Sequence, residues 1–146
     1  MNFDKMSERL QNVIQKAVML TKDQNNPEIT SAHCLKILFE DDGCDGLFKR
    51  CGINKKECLF LINKELERLP KVSNHDEPNL SRYVVKAFQD ATSWSQVHEE
   101  TYMTSVAFLI GLLFNQDSIC NELLKVTNIT KKQLEKAEME RRGDKK

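Results

Sequence analysis

Two twelve-residue stretches with one pattern lie 74 positions apart and constrain the fold of this chain more than any other feature. Ile29–Glu40 and Met103–Phe114 each open with an apolar residue followed by Thr-Ser, and each then runs apolar for most of three helical turns. A Ser or Thr before an apolar run is typical of a helix N-cap, because its oxygen accepts a hydrogen bond from a free backbone N–H. Each stretch therefore predicts a mostly buried helix, which other helices have to surround.

The repeat extends over nearly the whole chain. Identical residues recur at an offset of 74 before the core helices and, after a two-residue insertion, at an offset of 76 behind them. Two units are too few for an open solenoid, which usually needs three or more to bury a continuous core. The pattern predicts one pseudo-twofold domain with a first repeat at 1–70, a polar linker at 71–80, a second repeat at 81–142, and the start of a further linker at 143–146.

The fold class expected from these patterns is all-α, with eight helices, four in each repeat. Apolar residues recur at three-and-four spacing, Gly and Pro punctuate the segments, and no alternating strand pattern is present. The predicted helices begin at Ser7 or Asp4 and then cover 31–40, 47–51, 54–69, 81–97, 104–114, 118–126 and 130–142.

Composition argues against several classes of partner and cellular location. The 146 residues carry 22 basic and 22 acidic side chains, so there is no general electrostatic footprint for nucleic acid or an anionic membrane. Five cysteines, an odd number, favour a reducing compartment over a disulfide framework. The start of the chain has no apolar signal-peptide core, and no 18-residue apolar run is present. We expect a cytoplasmic protein.

The sequence lacks the motifs that several kinds of binding and catalytic site require. No Gly-rich phosphate loop, zinc-binding H-E-x-x-H or C-x-x-C pattern occurs. Cys44, Cys51 and Cys58 are seven residues apart, wider than the usual two to five between metal ligands of one segment. They are interpreted as core thiols and one loop thiol. No cofactor or metal is expected in this domain.

Two weaker constellations keep a catalytic alternative open. His33 precedes Cys34 and could activate it as a nucleophile, although a first-turn histidine bonded to the backbone is the simpler interpretation. Glu99-Glu100 could form an acid–base pair, although neighbouring carboxylates in a polar loop are usually solvated. His75, in the linker, and His98, in a loop, are expected to be exposed.

A set of short motifs in a fixed order resembles a known family. These are the opening Met1–Leu10, the two Thr-Ser helix starts, Cys51–Asn54 after the short third helix, and Leu66–Val72 before the linker. The chain is similar over its whole length to the double-repeat N-terminal domain of Clp-type AAA+ ATPases. The Leu-Pro-x-Val ending of the first repeat resembles the ClpB disaggregase type most closely.

The resemblance implies a mobile, non-catalytic module that captures unfolded or aggregated polypeptide and passes it to a hexameric ATPase ring. ATP and Mg²⁺ would belong to other domains, which this chain lacks. We expect no nucleic-acid or membrane partner, an isolated domain that is monomeric, and a full-length homohexamer. The alternative within the family is an adaptor-docking domain of a ClpA- or ClpC-type unfoldase of a Clp protease, which would bind a folded partner.

The resemblance also implies a substrate groove. The family's groove hydroxyl corresponds to Ser7, and its acidic residue before the second core helix corresponds to Glu100. Val106 replaces a second acidic residue, which predicts a more apolar groove and favours exposed hydrophobic segments as substrates. The substrate-binding residues expected on this basis are Ser7, Trp94, Glu100, Tyr102, Val106 and Ala107.

Overall fold

A computed structural model describes residues 3–73 and 76–143 and confirms the all-α class. Eight α-helices form within these residues, together with one pair of two-residue strands. His75 and residues 144–146 lie outside the described residues, so the predictions made for them are not addressed. The elements are α1 Glu8–Asp23, β1 Glu28–Ile29, α2 Ser31–Glu40, α3 Asp45–Arg50, α4 Lys55–Arg68, β2 Asn79–Leu80, α5 Arg82–Val97, α6 Ser105–Leu113, α7 Ser118–Thr127 and α8 Lys131–Gly143.

Side-chain caps begin the helices where the sequence predicted them. The hydroxyls of Ser7 and Ser81 accept the backbone N–H three residues ahead, at 3.2 and 3.3 Å. Thr104 does the same for α6 at 3.1 Å, and the amide oxygen of Asn54 does so for α4 at 3.1 Å. These bonds satisfy N–H groups that have no partner inside the helix, which is why the boundaries can be predicted from sequence.

The second core helix, α6, is buried on all sides, since every residue from Ser105 to Leu113 is buried. Helix α5 packs against it very closely. A Cβ atom at Gly111 would lie 2.6 Å from the backbone oxygen of Ala87, so this approach requires a glycine. The rings of Phe88 and Phe108 stack across the same interface with centroids 4.5 Å apart. This pair of helices forms the rigid part of the second repeat.

Two backbone pairings cross between the repeats. Ile29 of β1 pairs in parallel with Leu80 of β2, and an isolated bridge joins Met6 to Met103. The 74-residue offset carries Ile29 onto Met103 and Met6 onto Leu80, so the two pairings are equivalent. In each, the segment that enters one repeat pairs with the loop before the core helix of the other. Each repeat therefore forms a backbone pairing with the entering segment of the other, in addition to side-chain contacts.

Two described residues of the predicted linker at 71–80 bond to the first repeat. The N–H of Val72 donates to the carbonyl of Asn25 at 2.8 Å, and the N–H of Asn79 donates to the carbonyl of Pro27 at 3.2 Å. These backbone hydrogen bonds attach both ends of the linker to the loop between α1 and α2.

Candidate functional site

The six residues expected to bind substrate lie where the start of α1, helices α5 and α6, and the loop between these two helices meet. Ser7 caps α1, Trp94 lies near the end of α5, Glu100 and Tyr102 belong to the loop, and Val106 and Ala107 lie in the first turn of α6. Three hollows surround this junction; five of the six residues line one or another of them, and Tyr102 lines none of the three.

The first of these, named here the α5 hollow, lies between α5 and the Met6–Met103 bridge and has a volume of about 350 Å³. Its apolar lining consists of Phe88, which is half-buried, and of Met6 and Met103, which have 3% and 9% of their surfaces exposed. Methionine side chains adapt readily to different apolar partners. Of the six predicted residues, Glu100 lines it. The complete lining is Lys5, Met6, Phe88, Thr92, Ser95, Gln96, Glu100, Thr101 and Met103.

Four of the five remaining predicted residues line the other two hollows. The Trp94 hollow, of about 300 Å³, is lined by Trp94 and Ala107 among others. The Ser7 hollow, of about 610 Å³, is lined by Ser7, Val106 and several arginines. Tyr102 projects into solvent beside Met103, with 53% of its surface exposed. The predicted set therefore marks the surroundings of the junction and not a single binding surface.

Trp94 is largely covered, because α8 packs over it. Its indole N–H donates to a carboxylate oxygen of Glu135 at 3.0 Å, and the guanidinium of Arg142 lies 5.2 Å from the centre of its ring. Arg142 also forms an ion pair with Glu100. Trp94, with 7% of its surface exposed, thus attaches α8 to α5, and little of the ring is left for a ligand.

Val106 and Ala107 are also buried, with 4% and 1% of their surfaces exposed. The reason is that α6 is apolar all round and is enclosed by its neighbours, so its first turn contributes to the core. Val106 forms part of the wall of the Ser7 hollow but presents little surface there. An acidic side chain at this position would be buried, so Val106→Glu would test folding as much as binding.

The sequence had not identified most of the lining of the α5 hollow. Phe88 lies in the apolar pattern of helix α5, and nothing in the sequence predicted that Met6 would meet Met103. One signal was available in the repeat itself: Thr92 occupies the position of Val18 in the first repeat. A polar residue at an equivalent apolar position indicates that the second repeat is less covered there.

The pair formed by His33 and Cys34 is not arranged for nucleophilic chemistry. Burial raises the pKa of the Cys34 thiol to about 12, so the thiolate is absent at neutral pH. The Nδ1 atom of His33 accepts the backbone N–H of Thr30 at 3.0 Å, and its Nε2 bonds to the amide oxygen of Asn26 at 2.8 Å. Both ring nitrogens are occupied in joining the start of α2 to the preceding loop, as the simpler interpretation of a first-turn histidine had held.

The other features considered for catalysis or metal binding lack the necessary neighbours. The carboxylate of Glu100 is paired with Arg142. Within residues 3–73 and 76–143, no three His, Cys, Asp or Glu side chains are grouped so that they could hold a metal ion. Over the same residues, none of the helices combines the length and the apolar character needed to span a bilayer.

Comparison with known proteins identifies the family of this sequence. The model of the Clp repeat N-terminal domain matches residues 5–139. The chaperone protein ClpB of Bacteroides thetaiotaomicron is 30% identical over 148 residues, an alignment that covers 99% of this chain and 17% of that protein. The chain therefore spans about a sixth of the length of this curated relative.

Solved structures confirm the fold. The N-terminal domain of Hsp104 from Candida albicans superposes with a TM-score of 0.82 at 20% identity, covering 95% of this chain and 92% of that one. A ClpV N-domain solved in complex with a VipB peptide superposes with a TM-score of 0.72 at 17% identity, covering 90% of this chain and 82% of that one. At these identities the likeness establishes the architecture alone.

Proposed function

Because this chain belongs to the Clp repeat N-terminal domain family, we propose that it is the substrate-binding N-terminal domain of a ClpB-type chaperone. It captures unfolded or aggregated polypeptide, which the complete protein, a homohexameric ATPase of the cytoplasm, then remodels. ATP and Mg²⁺ are used by other domains of that protein, and this domain is a monomer without catalysis or cofactors of its own.

The observation that carries the proposal is the α5 hollow. It is open to solvent and walled by Met6, Phe88 and Met103, so it can accept an apolar side chain that a folded protein would have kept inside. Burying one such side chain is favourable by about 1.5–3 kcal/mol before the cost of ordering the ligand. This gives the weak, reversible binding that a capture module needs.

Polar groups at the edge of the hollow would position the backbone of the captured segment. Glu100 and Tyr102 flank its loop side, and Ser7 follows directly on Met6. Trp94, Val106 and Ala107 contribute in this proposal by supporting the walls from below. The ClpV N-domain that was solved with a VipB peptide has the same architecture, which supports the binding of a peptide by this fold.

The experiment is an NMR titration of the ¹⁵N-labelled chain with reduced, carboxymethylated lactalbumin, which stays unfolded. The proposal predicts that shift changes concentrate on Thr92, Gln96, Thr101 and Met103. Thr92→Arg, which places a long charged side chain over the α5 hollow, should abolish these changes. Gln89→Arg is the matched control, because Gln89 is exposed on the same helix and outside the lining.

Binding that survives Thr92→Arg unchanged would exclude the α5 hollow as the capture site. If the chain ignores unfolded protein but binds one folded protein stoichiometrically, the adaptor-docking alternative replaces the proposal.

A further inference from the structure

A further hollow, named here the Tyr83 hollow, lies between the start of α5 and the loop that follows α6. It has a volume of about 420 Å³ and shares no lining residue with the α5 hollow. The rings of Tyr83 and Phe114, both half-buried, give it aromatic surface. The complete lining is Arg82, Tyr83, Lys86, Phe114, Asn115 and Gln116. The hollow thus combines two aromatic rings with two cations, and its lining contains no acidic residue.

The equivalent place in the first repeat is bridged by ion pairs within the chain. The guanidinium of Arg9 lies 3.0 Å from a carboxylate oxygen of Asp41 and 2.9 Å from one of Asp42. These charges join the first turn of α1 to the loop after α2. The residues at the same positions in the second repeat, 74 further along the chain, are Tyr83, Asn115 and Gln116.

The two repeats carry opposite charge at this place. The first-repeat positions that correspond to the lining of the Tyr83 hollow hold four acidic side chains and one basic one; they are Glu8, Arg9, Asn12, Glu40, Asp41 and Asp42. The lining itself holds two basic side chains and no acidic one. The carboxylates that accept a cation in the first repeat therefore have no counterpart in the second, where the cations remain.

Arg82 is exposed and is held in one orientation. Its guanidinium carbon lies 4.9 Å from the centre of the Tyr83 ring, and one of its N–H groups donates to the Tyr83 hydroxyl at 3.0 Å. Among residues 3–73 and 76–143, no carboxylate forms an ion pair with it. Helix stability does not explain a cation here, because the helix dipole opposes a positive charge in the first turn. A guanidinium stacked in this way presents its other N–H donors in a plane that suits a carboxylate.

Lys86 lies one turn further along the same face of α5. Its ammonium group is 3.3 Å from a carboxylate oxygen of Asp90, but the two side chains are 61% and 44% exposed. Such an exposed pair contributes little to stability, so Lys86 can exchange Asp90 for another carboxylate. Neither Asp90 nor Asp117, which follows Gln116 in the sequence, lines the hollow.

We propose that the Tyr83 hollow binds acidic segments of a partner polypeptide in which a carboxylate lies next to an aromatic or other apolar residue. The carboxylate accepts hydrogen bonds from Arg82 and Lys86, as Asp41 and Asp42 accept them from Arg9 in the first repeat. The apolar side chain packs against Tyr83 and Phe114. This site is separate from the α5 hollow, so the inference goes beyond the proposed function and does not depend on it.

The probe is the pentapeptide Gly-Phe-Asp-Asp-Gly with blocked ends, and its matched control is Gly-Phe-Asn-Asn-Gly, which has nearly the same shape without the charge. Titrated into the ¹⁵N-labelled chain at low salt, the acidic peptide should shift the amide signals of Tyr83, Lys86, Asn115 and Gln116. The Asn peptide should bind at least about fivefold more weakly, because it offers no charged acceptor. Raising NaCl to about 0.5 M should remove most of that difference, since exposed charges are then screened.

Two variants test the charges of the hollow without entering the core. Arg82→Glu gives α5 the acidic first residue that α1 has in Glu8, so it should fold normally by circular dichroism and abolish binding. Gln116→Asp supplies the acid that the first repeat has in Asp42, and it should weaken binding by occupying the cations. Lys56→Glu is the matched control and should leave binding unchanged, because Lys56 is exposed in the first turn of α4 and outside the lining.

Equal binding of the two peptides would overturn the proposal, because the hollow would then not recognise the carboxylate. Binding that survives Arg82→Glu, or shifts confined to the α5 hollow, would place the site elsewhere and overturn it too. An equal loss in Lys56→Glu would show that the charge of the whole chain attracts the peptide, which also excludes the hollow. None of these results bears on the proposed function, which Thr92→Arg tests separately.

Discussion

Acidification should destabilise this fold through one residue, His33. Its side chain is fully buried and links three parts of the first repeat, since Nδ1 accepts the N–H of Thr30 and Nε2 meets the amide oxygen of Asn26. Asn26 in turn donates to the carbonyl of Pro70. Because Nδ1 accepts the N–H of Thr30, the single ring proton lies on Nε2. A second proton, on Nδ1, would replace that bond by one to the Thr30 hydroxyl, 2.8 Å away.

Burial lowers the pKa of His33 from 6.5 to about 4. In the unfolded chain the ring returns to its ordinary pKa, so between these values the unfolded state binds a proton that the folded state does not. The free energy of unfolding is therefore highest above pH 6.5 and decreases as the pH falls towards 4. The linkage relation gives a loss on the order of 1 kcal/mol at pH 5.5 and of 2 to 3 kcal/mol at pH 4.5.

His33→Gln isolates this contribution. A glutamine at the third helical position is a usual partner in a capping box, so its side-chain oxygen can accept the N–H of Thr30, but it does not titrate. We expect the variant to be less stable by about 1 kcal/mol at pH 7.5, through loss of the bond to Asn26, and to depend less on pH. Urea denaturation at pH 7.5, 5.5 and 4.5 measures both effects, and the difference between the two proteins removes the contribution of the carboxylates.

Parallel pH dependence of the two proteins would refute the reasoning. So would an NMR titration in which the ring of His33 protonates near pH 6.5 in the folded state, because the buried ring would then accommodate its charge.

Other predictions follow from close packing, buried charge and thiol burial. Gly111→Ala should lower the free energy of unfolding by about 2 kcal/mol in urea denaturation, because its Cβ would meet a backbone oxygen at 2.6 Å, while Gly143→Ala, with nothing within 4 Å, should be nearly neutral. Glu138→Ala should cost about 3 kcal/mol, measured by thermal unfolding, because it leaves two arginines without their buried acceptor, whereas the exposed Glu140→Ala should change little. In a thiol-labelling assay at pH 8, Cys51 should react first, because the other four cysteines are buried, and Cys51→Ser should remove the fast phase. Rapid labelling of a second cysteine would contradict the last of these.

The helices could be predicted because the information for them is local. A capping hydroxyl such as Ser7 or Thr104 lies within three residues of the N–H that it satisfies, and an apolar run shows its period within a few turns. Gly52, with φ of 66°, adopts the left-handed conformation that commonly follows a helix, and this too is a local effect that glycine makes possible.

The site was predicted less well because it depends on contacts that are remote in sequence. Arg142 covers Trp94 and pairs with Glu100 across 42 positions, and nothing near either residue indicates that contact. The Met6–Met103 bridge is a single residue pair, too short to produce an alternating pattern. The residues assigned to a groove by family resemblance lie around one junction of the fold, but α8 covers Trp94 and the enclosure of α6 buries Val106 and Ala107.

The repeat nevertheless contained information about the exposure of the α5 hollow. Thr92 is exposed where its repeat equivalent Val18 is half-buried, and Phe88 is half-buried where Ile14 is buried. A polar residue at the edge and an apolar residue in the deeper wall suit a surface that is in contact with water when no ligand is bound. Differences between repeat-equivalent residues therefore indicate where one repeat is more exposed than the other. In this chain they indicate the α5 hollow, and the same comparison can be made in any two-repeat domain before its structure is known.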